Sequence, residues 1–283
     1  MQIAHLILAH NNPQQVEKLV KRLLYKDDVV FIHVDKKVRI ENYNNLRELK
    51  NVFFVKKRVP ITWGAFSIVE ATVNGFSEIL RANDSCQFVN LLSGADYPLK
   101  TPEQIHEYLS KNEGKTFMSY MPIADEWHEA LTRITKYHFT HYKFIGQVVV
   151  QHIFNFIMPK RKFPDGLVAV GRSQWFTAST NSIRYILEFW ETHKKFRDFI
   201  KLTWGADEFV FQTILYNSPL REQMVNNNLR YIDWSAGGAS PKTLTLADKD
   251  SLFTSDKLFA RKFDLQKHAN IIALIDKKLD SQG

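Results

Sequence analysis

The chain has 283 residues, of which 45% are apolar, 13% aromatic and 24% charged, a composition that excludes a disordered tail, a linker or a fibrous repeat. Lys and Arg number 38 against 30 Asp and Glu, and the resulting +8 favours anionic partners: a phosphorylated small molecule, a nucleic acid or an acidic membrane face. One cysteine, Cys86, excludes an internal disulfide framework and a cysteine-clustered zinc site, and fits a reducing, cytoplasmic compartment.

The elements are expected in this order. Ile3 to Ala9 and Val29 to Val34 are strand-like. Between them Val16, Leu19, Val20, Leu23 and Leu24 recur at helical spacing after Asn12-Pro13, a cap followed by a first-turn proline. The opening run reads as a strand and lacks the basic leader of a signal peptide, so the sequon Asn83-Asp84-Ser85 is expected to be unused. A helix from about Ser67 to Leu80 carries Ile68, Thr72, Phe76, Ile79 and Leu80 on one side, and Gln87 to Leu92 is a third buried strand. Thr101-Pro102-Glu103-Gln104 has capping-box spacing and opens another helix. This alternation predicts an α/β fold with ligands near the carboxyl ends of its strands.

From about Ile123 to Phe163 the pattern changes to a helical insertion. There the apolar stretch Val148 to Met158 lies between His138, His141, Tyr142 and Lys143 on one side and Lys160-Arg161-Lys162 on the other. It has two readings, an aromatic-rich core helix or a helix in peripheral contact with a membrane surface. No apolar run reaches the length of a membrane span. Beyond it come a strand at Gln174 to Ala178, a helix near Ile183 to Trp190, Trp204-Gly205-Ala206-Asp207-Glu208 leading into an apolar helix, and a strand at Leu229 to Asp233. The loop Ala236 to Pro241 follows.

Several chemistries lose their signatures. The turn Ala9-His10-Asn11-Asn12-Pro13 has neither a dinucleotide glycine fingerprint nor a Walker lysine, His128-Glu129 lacks the second histidine of a zincin, and no nucleophile elbow occurs. The clusters that remain sit at strand ends or helix starts: His33-Val34-Asp35, Trp63-Gly64, Ser93 to Thr101, and Trp204 to Phe209. To these the tail adds Lys242 and Leu258 to Asp264.

In this order Ile7-Leu8-Ala9-His10, His33-Val34-Asp35, Leu91 to Thr101, Trp175-Phe176, Asp207-Glu208 and Lys262-Phe263-Asp264 make the chain resemble the core-2/I-branching beta-1,6-N-acetylglucosaminyltransferases and the related peptide O-xylosyltransferases, glycosyltransferase family 14. The resemblance implies a GT-A-type, Rossmann-like nucleotide-sugar fold: a mixed sheet flanked by helices. A single domain over 1–283 would comprise a nucleotide-binding part to about 120, a helical insertion over about 123–165 and a catalytic and acceptor part from about 166. It further implies inverting, metal-independent transfer of a sugar, GlcNAc in the first place, from a UDP-sugar to a hydroxyl of a glycan or lipid-linked oligosaccharide, with no cofactor. The familiar animal members carry an anchor and disulfides, so a compact, bacterial, cytoplasmic version is expected.

Residue by residue, the resemblance makes Glu208 the general base, its charged form favoured by the first turn of a helix. It sets Lys262, and Lys242 after the glycine loop, against the leaving diphosphate. Arg261 takes the place of Lys262 if the register shifts by one. His10, Asp35, Trp63 and Gly64 would line the uridine site, with Gln174 toward the donor sugar and Asp96 also in the nucleotide-sugar site. Gln174 stands where xylosyltransferases have an aspartate, which leaves the sugar open. Arg133, Trp175, Tyr231, Asp233 and Trp234 are the acceptor candidates.

Two alternatives remain at this level. Asp248-Lys249-Asp250 is an Asp-x-Asp of the kind that holds a metal on a diphosphate. A non-enzymatic glycan- or nucleic-acid-binding module would also use the positive charge, but no nucleic-acid-reading motif is present and the basic residues are scattered.

Overall fold

The computed structural model describes residues 1–83 and 85–282, so the sequon's Asp84 lies outside the described residues. The first hundred residues form β1 (Ile3–Ala9), α1 (Pro13–Leu23), β2 (Val29–Val34), β3 (Val52–Phe54), α2 (Phe66–Ala82), β4 (Phe88–Ser93) and β5 (Asp96–Pro98). Next come α3 (Pro102–Ser110), β6 (Thr116–Met118), β7 (Tyr120–Pro122), α4 (Leu131–Thr135), α5 (Gln147–Ile157) and β8 (Val170–Arg172). Then follow β9 (Thr177–Ser179), α6 (Thr180–Thr192), α7 (Lys194–Lys201), α8 (Val210–Tyr216), β10 (Met224–Asn226), β11 (Arg230–Ile232), α9 (Lys249–Thr254), β12 (Phe259–Arg261) and α10 (Ala269–Asp280).

These elements build a mixed α/β fold around a seven-stranded sheet in the order β10-β6-β9-β4-β1-β2-β3. β4, β1, β2 and β3 are parallel, and β9 runs antiparallel to both β4 and β6. All seven residues of β1 are buried, as a parallel strand covered on both faces requires. Alternation divides them. Ala4, Leu6 and Leu8 enter one core with residues of α2, α6 and α8, whereas Ile3, Ile7 and Ala9 enter the other with α1 and α10. In the first core Phe76, Phe176 and Phe211 meet ring to ring at 5.6–6.0 Å. Truncating one such ring costs about 3–5 kcal/mol.

The capping box forms as expected: Gln104 N donates to Thr101 Oγ1 and Thr101 N to Gln104 Oε1. The start of α1 is built differently. Asn12 is left-handed (φ 46°) and caps with no side-chain bond; its carbonyl instead accepts from Gln15 N and Val16 N. The strand expected at Gln174 to Ala178 begins only at Thr177. There Arg230 donates to the carbonyls of Leu91 (3.1 Å) and Phe176 (2.9 Å) and to the Thr177 hydroxyl (2.8 Å), which closes the ladder.

β1, β2 and β4 therefore deliver His10, Asp35 and Ser93-Gly94 to one edge of the sheet. A small second sheet, β11-β12-β5, sits directly beyond β4 and brings Arg261 and Lys262 to the same edge. Residues 123–165 carry the two α-helices α4 and α5, but the core-helix reading of Val148 to Met158 fails, because no residue of α5 is buried. No helix among the described residues is long and apolar enough to cross a membrane.

Candidate active site

Glu208 lies in a single 3-10 turn, Ala206–Glu208, which Phe209 (φ −140°) separates from α8. It is therefore not in the first turn of that helix, and its counter-charge comes from elsewhere. Arg133 Nη1 of α4 lies 2.5 Å from Glu208 Oε2. The Arg133 guanidinium is held between two indoles, 4.7 Å from the Trp127 ring centre and 4.6 Å from that of Trp204. Stacking of this kind fixes a planar cation better than a flexible ammonium. Glu208 Oε1 makes no hydrogen bond among the described residues, and the side chain keeps 32% of its surface exposed. The carboxylate thus has one oxygen held and one offered.

The turn before Glu208 is supported by a partner of the same sequence. Thr62-Trp63-Gly64-Ala65 and Thr203-Trp204-Gly205-Ala206 are identical tetrapeptides. Gly205 N donates to Gly64 O at 2.7 Å, and the Trp63 and Trp204 rings meet edge to face at 5.6 Å. Both glycines are left-handed, with φ 68° and 64°. A Cβ on Gly64 would stand 2.5 Å from the Trp204 indole nitrogen, and one on Gly205 2.8 Å from Arg133 Nη1. Only glycine fits at both positions. Trp63 itself is 60% exposed.

At the strand ends, Asp35 is buried and its Oδ1 accepts from Lys37 N (2.9 Å) and Ile61 N (3.3 Å). This ties the end of β2 to the loop that carries Trp63. His10 projects from the end of β1 into the same group. The protein around its ring holds its pKa below the usual imidazole value; Asp35 opposes this, and Lys262 and Lys37 add to it. Lys262 has no acidic partner among the described residues. Lys242 is close by, since Leu244 N donates to Lys262 O, but it is engaged: its Nζ lies 2.5 Å from Asp248 and 3.6 Å from Asp233.

That pairing also accounts for the Asp-x-Asp. Asp248 Oδ1 accepts from Lys242 Nζ and its Oδ2 from Thr245 N and Oγ1, closing a capping box at Leu246 to Asp248. Asp250 sits exposed in the first turn of α9. Among the described residues no three His, Cys, Asp or Glu side chains converge as metal ligands would.

Between the two ends lies Arg261, half-buried, with Nε 3.0 Å from Asp96 Oδ1 and its guanidinium 4.6 Å from the Trp175 ring. Asp96 is fully buried and also accepts from Ser93 N and Oγ. Asp96, Arg261 and Trp175 thus form an internal stack, and Gln174 is half-buried in the turn beside it. Of the acceptor candidates, Arg133 pairs with Glu208, and Trp175 lies in the stack with Arg261. Register pairs Ile232 with Arg261, so Tyr231, Asp233 and the 52% exposed Trp234 follow β11 toward Lys242 and Lys262 instead.

Two features escaped the sequence reading. Asp207 is buried with Oδ1 unpartnered; burial, with a further push from Glu208, raises its pKa to about 7. The pairing of Arg133 with Glu208 joins positions 75 apart. The repeated Thr-Trp-Gly-Ala was the one sequence signal for the second half of this arrangement.

A sequence model of the Core-2/I-Branching enzyme family matches residues 3–254. The chain belongs to that family. The matched span takes in both Trp-Gly turns, Arg133, Glu208 and Lys242, and stops short of Arg261 and Lys262. Among similar proteins are a xylosyltransferase of Ciona intestinalis, 24% identical over 99% of this chain and 34% of that protein, and xylosyltransferase 2 of Canis lupus familiaris, 24% identical over 98% and 33%. Xylosyltransferase 1 of Rattus norvegicus is 26% identical over 99% and 35%. The chain spans about a third of the length of these relatives.

Proposed function

We propose that this member of the family is an inverting glycosyltransferase that moves a sugar from a UDP-sugar to a hydroxyl of a glycan or lipid-linked oligosaccharide at a cytoplasmic site, on a GT-A-type fold. The observation that carries the reading is Glu208, anchored through one oxygen by a stacked Arg133 and offering the other. An acceptor hydroxyl within hydrogen-bond reach of Oε1 gives up its proton to Glu208 as its oxygen attacks the anomeric carbon. The bond from that carbon to the UDP oxygen breaks on the opposite face, and the diphosphate leaves with the bonding pair.

The negative charge that develops there needs a fixed positive group, and Lys262, with no carboxylate to neutralise it among the described residues, is the group we assign. Lys242 joins it when the diphosphate displaces Asp248. We assign this role to lysines rather than a cation because both Asp248 oxygens are already bound within the protein. His10, Asp35 and Trp63 flank the uridine in this reading, Asp96 acts by fixing Arg261, and Trp175 and Arg133 border the acceptor. The relatives named xylosyltransferases move the donor expectation from a hexosamine toward a pentose.

The test is a thermal-shift panel of UDP, UDP-xylose and UDP-GlcNAc, followed by transfer assays with and without excess chelator. A donor should raise the melting temperature, and transfer should survive chelation. No shift with any of the three nucleotides, or turnover lost to chelator and restored by Mn²⁺, would reject the reading as stated.

A further inference from the structure

Helix α5 is built inside out. Gln147, Gln151 and Asn155, spaced by four, form its inward edge. Gln147 Nε2 donates to Phe139 O (2.7 Å), Phe139 N to Gln151 Oε1 (2.7 Å), and Asn155 exchanges two bonds of 2.8 Å with the backbone of Tyr137. The outward face is apolar: Phe156 is 91% exposed, Ile157 72%, Val148 65% and Val149 63%, with Ile145 fully exposed just before the helix. A helix on a water-facing surface shows the opposite arrangement, polar side out. Contiguous exposed apolar surface of this kind marks a place that something covers.

Charge identifies what covers it. Between Glu129 and Asp165 the chain has no acidic residue, and Lys136, Lys143, Lys160 and Lys162 are exposed around the helix. The arm is fixed to the body, because Arg161 donates to Leu202 O (2.7 Å) and Thr203 Oγ1 (3.0 Å) and His138 N donates to Leu202 O (2.9 Å). These anchors lie immediately before Trp204. At 1.5 Å per residue α5 is about 16 Å long, too short to span a hydrocarbon core of about 30 Å but suited to lie in the plane of an interface.

We propose that α5 and its lysine rim dock the protein on an anionic bilayer surface, the apolar face entering the headgroup region and the lysines meeting lipid phosphates. A second copy of the chain fits the same face less well, since two-fold pairing sets the lysines of one against those of the other. The docking is independent of the transferase reading, because it uses none of the residues of the Glu208 cleft.

The experiment is flotation of the full chain with vesicles of phosphatidylcholine and phosphatidylglycerol, and with phosphatidylcholine alone, in the absence of any nucleotide. The proposal expects retention on the anionic vesicles and about tenfold or greater loss for the double substitution Lys160→Glu, Lys162→Glu and for Phe156→Gln, Ile157→Gln. Melting temperatures should be unchanged, since all four side chains face solvent. Failure to float with anionic vesicles, or equal flotation of the variants, overturns it. So does a concentration-dependent dimer in sedimentation velocity that the Phe156, Ile157 variant abolishes, with no vesicle retention.

Discussion

Arg133 reaches Glu208 at 2.5 Å from between the indoles of Trp127 and Trp204. The guanidinium therefore positions a carboxylate and is itself positioned by aromatic faces, so its shape matters as much as its charge. Arg133→Lys keeps the charge and loses the fork and the stacking. We expect a loss of about 1–2 kcal/mol in stability and a fall in kcat larger than any rise in KM. Chemical denaturation and steady-state kinetics on the variant measure both. Unchanged kcat would remove Arg133 from the account.

Gly64 connects the two Trp-Gly turns, and its substitution separates backbone from charge. Gly64→Ala places a methyl 2.5 Å from the Trp204 indole nitrogen at φ 68°, which costs at least about 1–3 kcal/mol. Trp204 must shift, and Arg133 loses one stacking face. A lower melting temperature together with lower turnover is the expected outcome.

The three short steps from Asp35 through Ile61 to Trp63 and Trp204 show what the sequence makes visible and what it hides. β1, β2 and the capping box at Thr101 are local patterns, and their bounds follow from apolar runs and cap spacing. The Asn12 cap was half legible: proline signals a helix start, but the carbonyl, not the side chain, accepts the orphan N–H groups. Glu208, Lys242 and Asp96 could be singled out by family resemblance, whereas the contacts that hold them could not. Arg133, Asp248 and Arg261 acquire their meaning from contacts between distant segments, which no periodicity records. For α5 the sequence leaves a core helix and a surface helix both open, because apolar composition carries no information about which side of a helix faces inward.

Lys242 and Asp248 give the metal question a sign. If Asp248 merely restrains Lys242, Asp248→Asn releases a cation toward the diphosphate and UDP binds more tightly. Lys262→Ala should weaken UDP by about tenfold or more, as loss of a charge-assisted bond does. If Asp248 held a metal, the same Asp248→Asn substitution would abolish turnover. Calorimetric titration of UDP into the two variants separates these cases.

Two buried groups set opposing pH dependences of stability. Burial lowers His33 to about 4, and Val59 N donates to its Nε2. Its folded pKa lies below the unfolded 6.5, so its contribution is present above that pH and is lost as pH falls toward 4. Asp207, raised to about 7 from 3.8, works the other way: its contribution is present below 3.8 and is lost as pH rises through 7. Each is worth on the order of 3 kcal/mol at full extent. Melting curves between about pH 4 and 7 should therefore tilt in opposite directions in the single variants. Stability of Asp207→Asn should rise with pH, and that of His33→Gln should fall. Parallel slopes would contradict the assignment.

The most direct test of the central claim is the turnover of Glu208→Gln with the donor identified by thermal shift. The amide keeps the shape of the carboxylate and cannot accept the acceptor's proton, so we predict a fall in kcat of about a hundredfold or more with UDP affinity unchanged. Turnover equal to that of the unsubstituted protein would show that the proton goes elsewhere and that this cleft is not where the sugar is transferred.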